Sequence, residues 1–247
     1  LISVPLAALI LAPLKIFSWG GISTGILVYM IIHYAIDTIS ITTCYHRHYS
    51  HRSFEMSRWM KFVLLLLSAG ALQNSALVWC LDHRLHHRHV DTDKDTYNIN
   101  RGFWWAHWLW MFFQKDGALN YNNIPNDLKS DRLLMWQHKY YLPLAMSVSF
   151  GLPTLAGYLI ANDPLGGFIF GGLMRLVISS HCTFFINSVA HLIGNRPYCK
   201  KISAQDNAFL ALFTMGEGYH NFHHKFENDY RNGIYWYQWD PTKWFIG

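Results

Sequence analysis

Two short stretches of the sequence carry the same H-x-x-H-H pattern. The motif residues are His83, His86 and His87 in "DHRLHH", and His220, His223 and His224 in "HNFHH". Positions i, i+3 and i+4 share one face of a helix, so each motif should aim three imidazoles the same way. Imidazole is a ligand for iron, copper, zinc and nickel, so the pattern predicts metal binding without choosing the metal.

Two further stretches add polar side chains at regular spacing. "HRHYSH" holds His46 and His51 as H-x-x-x-x-H, and "NSVAH" holds Asn187 and His191 at i and i+4. A mononuclear catalytic zinc needs about three protein ligands, and nine histidines exceed that number. They suit two metals with four or five ligands each. Soluble di-iron bundles use Glu and Glu-x-x-His ligands. The nearest carboxylate here, Glu217, precedes His220 by three residues within a Gly-rich "GEG", and we do not expect it to be a ligand.

The composition indicates which elements must position these side chains. Hydrophobic residues make up 51% of the 247 residues and charged residues only 14%, against roughly 25% charged in a soluble domain. The 11 Trp and 14 Tyr are residues that favour the membrane interface. We therefore expect one all-α integral membrane domain over residues 1–247. The four scattered cysteines do not predict disulfides or a thiolate metal site.

Apolar stretches of about 20 residues predict the spans. We expect four transmembrane helices, at about residues 1–19, 20–43, 141–161 and 165–190. Residues 59–79 are also apolar, but we expect them to be embedded without crossing, so that all histidine clusters share one face. The chain opens at Leu1 without Met, which suggests a trimmed N-terminus.

Charge predicts the orientation of these spans. Lys and Arg concentrate in residues 44–140 and 191–247, which we expect to form a helical cap on the cytoplasmic face. The net charge of +5 could suit nucleic acid. In a membrane protein it favours anionic lipid or an acidic partner, and we expect no nucleic-acid binding. An all-nitrogen di-metal site at a membrane then favours dioxygen chemistry on an apolar substrate.

The motifs, in their order along the chain, resemble those of the membrane fatty-acyl desaturases, in particular the stearoyl-CoA (Δ9) desaturases. The resemblance runs from about residue 42 to residue 230 through "HRHYSHRSF", "LQNSALVWCLDHRLHHRHVDTDKD", "RGFWWAH", "NSVAHLIGNRPY" and "GEGYHNFHHKF". It implies four spans, a cytosolic cap with a di-iron centre, and a bent tunnel for a fatty acyl chain. It also implies a separate electron donor, cytochrome b5 or ferredoxin with its reductase. The membrane would be the endoplasmic reticulum in a eukaryote or the inner membrane in a bacterium.

Carried over residue by residue, the resemblance implies a full site. Asn187 would reach a metal through water. The implied metal ligands are His46, His51, His83, His86, His87, His191, His220, His223 and His224. The implied substrate contacts are Gln73, Trp79 and Thr183 at the tunnel bend, with Phe184 where the family has tryptophan, and Asn74 and Asp82 near the head group. Leu81 replaces a family arginine there, so acyl carrier protein and lipid stay open beside acyl-CoA as the carrier.

The expected reaction is insertion of a cis double bond, with Δ9 as the implied position, using dioxygen and two electrons. A hydroxylase and a metal-binding scaffold without turnover remain alternatives. Two iron ions are the expected cofactors, and zinc could replace them in a purified sample. No motif for haem or for a nucleotide cofactor is present in this sequence.

Other polar residues have simpler interpretations. We expect His48 and His89 to lie outside the ligand set, His33 and His181 to pack between spans, His107 to be a hydrogen-bonding partner, and His138 to be interfacial. The aspartates close to His83, His86 and His87 in the sequence should accept imidazole N–H groups; they are Asp82, Asp91, Asp93 and Asp95. Asp37 and Arg175 lie at different depths by residue count, so we expect no direct pair, with Arg175 reaching away from the metal side.

Overall fold

The computed structural model describes residues 3–113 and 124–247, and the regular elements in these ranges are helices. The all-α expectation is confirmed for this part of the chain, whose only β pairing is two isolated bridges. The helices are α1 (Ser3–Phe17), α2 (Thr24–Ser50), α3 (Arg58–Ala69), α4 (Ala76–His89), α5 (Phe103–His107), α6 (Asn126–Lys129), α7 (Arg132–Lys139), α8 (Tyr141–Ala161), α9 (Pro164–His191), α10 (Ala208–Phe213), α11 (His220–Lys225) and α12 (Pro241–Ile246). Short 3₁₀ turns at Ile99–Arg101 and Leu109–Phe112 flank α5.

Three of these helices are long and apolar enough to cross a membrane. They are α2 with 27 residues, α8 with 21 and α9 with 28. Many of their outward side chains are exposed, such as Ile31 and Leu159, as expected for helices that face lipid. The α2 helix continues seven residues beyond the predicted end of the second span, so the H-x-x-x-x-H motif extends that helix.

The first predicted span is shorter in the structure. Within the described residues α1 has 15 residues, and the first two residues of the predicted span lie outside the described part. The end of α1 is fixed by Lys15, a buried lysine. Its Nζ lies 2.8 Å from Asp163 Oδ2 and 2.9 Å from the Trp19 carbonyl. This ion pair ties α1 to the turn between α8 and α9.

The α8–α9 hairpin depends on glycine. A Cβ on Gly157 would lie 2.6 Å from Gly167 Cα, and one on Gly167 would lie 2.2 Å from the Pro153 carbonyl oxygen. The two backbones therefore approach closely only because both positions lack a side chain. Asn162, with φ of 51°, ends α8, and Asp163 caps α9 through the Gly166 amide at 2.8 Å.

The apolar stretch at residues 59–79 does not form one helix. It is divided into α3 and the start of α4, with Leu72 at φ 54° and Asn74 at φ 72° between them. Twelve residues of α3 extend about 18 Å, which is less than the roughly 30 Å of a bilayer core. This break agrees with the expectation that the stretch does not span.

The main hydrophobic core lies beside the H-x-x-x-x-H motif. Tyr45, Leu65, Leu77 and Leu134 are fully buried where the end of α2 meets α3, α4 and α7. Gln137 on α7 donates to Tyr45 Oη at 2.7 Å and accepts from the Ala76 amide at 3.1 Å. The core therefore fixes α2 against α4, the two helices that carry the first two histidine motifs.

Candidate metal centre

Nine histidines converge on one place in the structure, in two groups. In each group the nearest ring nitrogens all lie within 4.8 Å of one another. The five-histidine group is His46, His51, His83, His87 and His223, and the four-histidine group is His86, His191, His220 and His224. The structure thus brings together all nine histidines that the resemblance implies as metal ligands, divided five and four.

Each H-x-x-H-H motif contributes to both groups. On α4, His83 and His87 join the five-histidine group while His86 joins the other. On α11 the division is reversed, because His220 and His224 join the four-histidine group and His223 joins the five-histidine group. The i and i+4 positions share a group and the i+3 position serves the other. The expectation that all three imidazoles point the same way is therefore refined, since one motif serves two sites.

The H-x-x-x-x-H motif depends on an unusual helix. Five residues along an α-helix turn the chain through about 500°, which leaves His46 and His51 about 140° apart. Here residues Ile41–Ser50 form a π-helix, whose hydrogen bonds run from i to i+5. The two imidazole rings consequently lie 4.9 Å apart between centroids. The wider turn brings both side chains into the same group.

The Nε2 atoms of neighbouring rings face one another at short distances. Six Nε2–Nε2 distances between histidines of the groups lie between 2.8 and 3.3 Å. Where Nδ1 donates its proton elsewhere, Nε2 carries a lone pair. Lone pairs at such distances repel unless a shared cation lies among them. The donor set therefore fits a metal ion in each group.

Carboxylates and a hydroxyl hold the opposite side of several rings. His46 Nδ1 lies 2.9 Å from Glu217 Oε2, and His86 Nδ1 lies 2.8 Å from Asp95 Oδ1. His87 Nδ1 lies 3.2 Å from Glu227 Oε2. Such partners fix the tautomer and orientation of metal-binding histidines.

The fourth such contact passes through a serine. His191 Nδ1 lies 2.6 Å from Ser203 Oγ, and that hydroxyl donates to Asp91. Asp95 thus accepts from an imidazole, as expected, whereas Asp91 accepts from Ser203 and reaches His191 only through that hydroxyl. The prediction that aspartates near His86 accept imidazole N–H groups is therefore confirmed for Asp95.

Burial favours the neutral form of several of these rings, which is the form that binds a metal. Burial lowers the pKa of His51, His83 and His224 well below the ordinary value, and neighbouring imidazoles lower it further. Burial alone would raise the pKa of Glu217, but His46 and Arg47 lower it to about 2. Neutral imidazoles are the form in which histidine binds a divalent cation.

A largely apolar cavity reaches the histidines from the membrane side. Its walls include Gln73, Trp79, Thr183 and Asn187, and also Thr38, Ile41, Cys182 and Ile186. Gln73 Nε2 donates to Thr183 Oγ1 at 2.8 Å, and Trp79 Nε1 donates to Gln73 Oε1 at 3.4 Å. Trp79 also stacks on His83, with ring centroids 4.8 Å apart. The three residues expected at a bend therefore form one hydrogen-bonded wall beside the five-histidine group.

The other expected substrate contacts lie elsewhere. Phe184 lines a second, apolar cavity of about 550 Å³ against α1 and α5, on the far side of α9. Asn74 lies in the turn between α3 and α4 with φ of 72°. Asp82 is partly exposed on α4, one residue before His83. Neither Asn74 nor Asp82 is among the described residues that line these two cavities.

The simpler interpretations are mostly confirmed. His107 is buried and lies 3.0 Å from both Ser188 Oγ and His181 Nδ1. His48 Nδ1 lies 2.9 Å from the Phe54 carbonyl oxygen. Among the described residues, neither His48 nor His89 belongs to a metal-type group. These histidines lie outside the ligand set, as their spacing indicated.

The expectation for Asp37 and Arg175 is wrong. Arg175 Nη1 pairs directly with Asp37 Oδ2, and neither side chain is exposed. Arg175 Nη2 also donates to the Gly70 carbonyl at 3.0 Å, in the break between α3 and α4. The arginine is therefore a buried cross-link between helices and does not reach out toward either membrane surface.

Sequence reasoning missed several supporting residues. Arg47 and Asn232 are buried and donate to the Glu217 carboxylate, and the buried Asp240 pairs with Arg47. Glu217 was visible in "GEGYHNFHH" as an acid three residues before a motif histidine, which is one turn of helix. No local signal marks Asp240, because it lies 193 residues from Arg47 along the chain.

The fold and the site together define a class of protein. It is a helical protein with span-length apolar helices and two histidine groups suited to metal ions. The family model described as fatty acid desaturase matches residues 17–244, and the chain belongs to this family.

Curated relatives carry corresponding names. The chain is 43% identical to the probable acyl-CoA desaturase of Schizosaccharomyces pombe, over 91% of this chain and 47% of that protein. It is 38% identical to acyl-CoA desaturase 1 of Saccharomyces cerevisiae, over 90% of this chain and 44% of that protein. The sn-2 palmitoyl-lipid 9-desaturase of Nostoc is 34% identical, over 93% of this chain and 78% of that protein. The chain thus spans about half the length of the two yeast relatives.

Proposed function

We propose that this chain is a membrane-embedded fatty acyl desaturase. It inserts a cis double bond at the Δ9 position of a saturated acyl chain, using dioxygen and two electrons. The observation that carries the proposal is the meeting of nine imidazoles, in groups of five and four, with the end of a largely apolar cavity. A cavity of this kind suits an alkyl chain, and the imidazoles suit metals that react with dioxygen.

Two iron ions are the proposed cofactors, one in each histidine group, with Asn187 joining the four-histidine group through water. When bound, they supply the dioxygen activation needed to remove hydrogen from an unactivated methylene. The carboxylates on His46 and His86 keep Nδ1 protonated, so that Nε2 of each ring stays free to bind a cation.

The protein's own part in the reaction is to position the substrate. The Gln73–Thr183 hydrogen bond crosses the cavity wall and fixes where an acyl chain must turn. Trp79 holds Gln73 on one side and stacks on His83 on the other, which links the turn to the five-histidine group. Since rate depends steeply on the distance between reacting atoms, this wall would determine which methylene reacts.

The proposed topology has four spans, α1, α2, α8 and α9, with residues 44–140 and 191–247 as a cytosolic cap. The basic residues of these two regions support a cytoplasmic location. Electrons would come from a separate carrier, cytochrome b5 or ferredoxin with its reductase.

Acyl-CoA is the proposed form of the substrate. Two of the relatives described above are named as acyl-CoA desaturases, which supports this choice. The Nostoc relative is named for a lipid-linked palmitoyl chain, so a lipid carrier is the alternative that an assay must include.

Expression in a desaturase-deficient cell tests the proposal. The cell should gain Δ9-monounsaturated fatty acids, which gas chromatography with mass spectrometry detects, and a His223→Ala variant should not restore them. A product that has gained oxygen without losing two hydrogens would indicate a hydroxylase. Absence of any new product, in a cell that supplies each electron donor, would favour a metal-binding scaffold.

A further inference from the structure

The end of the chain packs against the helix that carries His46. Residues 230–243, called here the C-terminal segment, reach α2 at Thr242, whose Oγ1 lies 2.7 Å from Thr42 Oγ1. Thr242 Oγ1 also donates to the Met215 carbonyl at 3.2 Å. The segment therefore bridges α2 and the turn that precedes α11.

Arg47 is the centre of this contact. Its guanidinium is almost completely buried and donates to both oxygens of Asp240, at 2.9 and 3.1 Å. It also donates to Glu217 Oε1 at 3.0 and 3.3 Å, and to the Tyr230 carbonyl at 2.7 Å. Because water does not reach the site, it could not replace a lost partner.

Glu217 is held from both ends. Its Oε1 accepts from Arg47, and its Oε2 accepts from Asn232 Nδ2 at 2.6 Å. The same Oε2 lies 2.9 Å from His46 Nδ1. A continuous chain of contacts therefore runs from Asp240 through Arg47 and Glu217 to a ring of the five-histidine group.

Asp240 itself is rigidly placed. It accepts from the backbone amides of Asn232 at 2.9 Å, Gly233 at 3.1 Å and Lys243 at 3.0 Å. A Cβ on Gly216, which has φ of 103°, would lie 2.5 Å from Asp240 Oδ1. Glycine at that position lets the aspartate approach the backbone next to Glu217.

We propose that Asp240 and Arg47 are positioning residues for the metal of the five-histidine group. They hold the Glu217 carboxylate on His46 and so fix the direction of its Nε2. The four-histidine group has other supports, such as Asp95 and Ser203. Within the described part of the chain, no side chain of the C-terminal segment hydrogen-bonds to an imidazole of that group. This inference rests on the proposed two-metal site.

The test is metal release from the full iron-loaded chain with an Asp240→Asn substitution. Loss of a group that supports a metal-binding histidine lowers metal affinity about 10–100-fold. Asp240 acts on His46 through Arg47 and Glu217, so one of two release phases into a chelator should accelerate by up to about 100-fold. The other phase should keep its wild-type rate. A His51→Ala variant assigns the accelerated phase to the five-histidine group. Asp229→Asn is the matched control, since Asp229 pairs with Arg231 at the surface.

A second variant keeps the test valid if Asp240→Asn does not fold. Arg47→Lys keeps the positive charge but loses the guanidinium that joins Glu217 to Asp240, so the same phase should accelerate. Unchanged phases, or equal acceleration of both, would overturn the inference. A wild-type chain that binds no metal would refute the proposed function as well, whereas two tightly held metals in Asp240→Asn would refute only this inference.

Discussion

The buried pair between Asp37 and Arg175 allows a quantitative test of the fold. Both side chains have no exposed surface, and Arg175 also donates to the Gly70 carbonyl at 3.0 Å. An Arg175→Met substitution removes the cation and leaves the aspartate carboxylate buried. Removing one partner of a buried pair costs about 3–5 kcal/mol.

That free energy predicts a measurable change in melting temperature. A chain of 150–250 residues loses roughly 2–4 °C for each kcal/mol, so Arg175→Met should lower Tm by roughly 6–20 °C. The 11 tryptophans provide the fluorescence signal for unfolding in detergent. Arg231→Met is the control, because Arg231 pairs with Asp229 on the surface and such pairs contribute at most about 1 kcal/mol.

The double variant separates charge burial from general disruption. Asp37→Leu combined with Arg175→Met leaves no unpaired charge, so it should recover at least half of the loss in Tm seen for Arg175→Met. If the two single losses simply add, or if Arg175→Met melts like Arg231→Met, the reasoning about a buried cross-link is refuted.

Three further predictions concern the site. Gln73→Ala should lower turnover by up to about 10²-fold and spread the double-bond positions seen by mass spectrometry. Thr183→Ser is the control and should keep the wild-type product. An unchanged product from Gln73→Ala would contradict the positioning role. Asp95→Asn should release one metal about 10–100-fold faster in a chelator assay, and the exposed Asp93→Asn should not; equal rates would exclude Asp95 as a support. Burial lowers the pKa of His83 well below the ordinary value, so only the unfolded chain gains a proton there as pH falls below about 6.5. The metal-free chain should therefore melt at lower temperature as pH falls from 7 to 5, and a rising Tm would contradict this.

The spacing of the histidines along the sequence predicts those features of the site that depend only on α-helix geometry. The H-x-x-H-H motifs lie on helices α4 and α11, and their side chains reach the metal centre because i, i+3 and i+4 are neighbours on any α-helix; the division of each motif between two groups was not predicted. The H-x-x-x-x-H motif is different, since His46 and His51 share a group only through a π-helix. No residue type in "ITTCYHRHYS" signals that wider turn.

Long-range pairs could not be predicted from spacing. Counted from His46 and His191 on ideal helices, Asp37 and Arg175 lie about 13 and 24 Å from the metal end, which argued against pairing. Arg175 nevertheless pairs directly with Asp37, a contact between two helices that residue counts along each helix do not show. Glu217 and Asp240 likewise meet Arg47 from 170 and 193 residues away, through packing that the sequence does not encode locally.

Anomalous diffraction at the iron absorption edge tests the central claim most directly. Crystals of the iron-loaded full chain should give two anomalous peaks. One should lie within the five-histidine group and the other within the four-histidine group. A single peak, or a peak outside these groups, would contradict the two-metal site on which the proposed desaturase function rests.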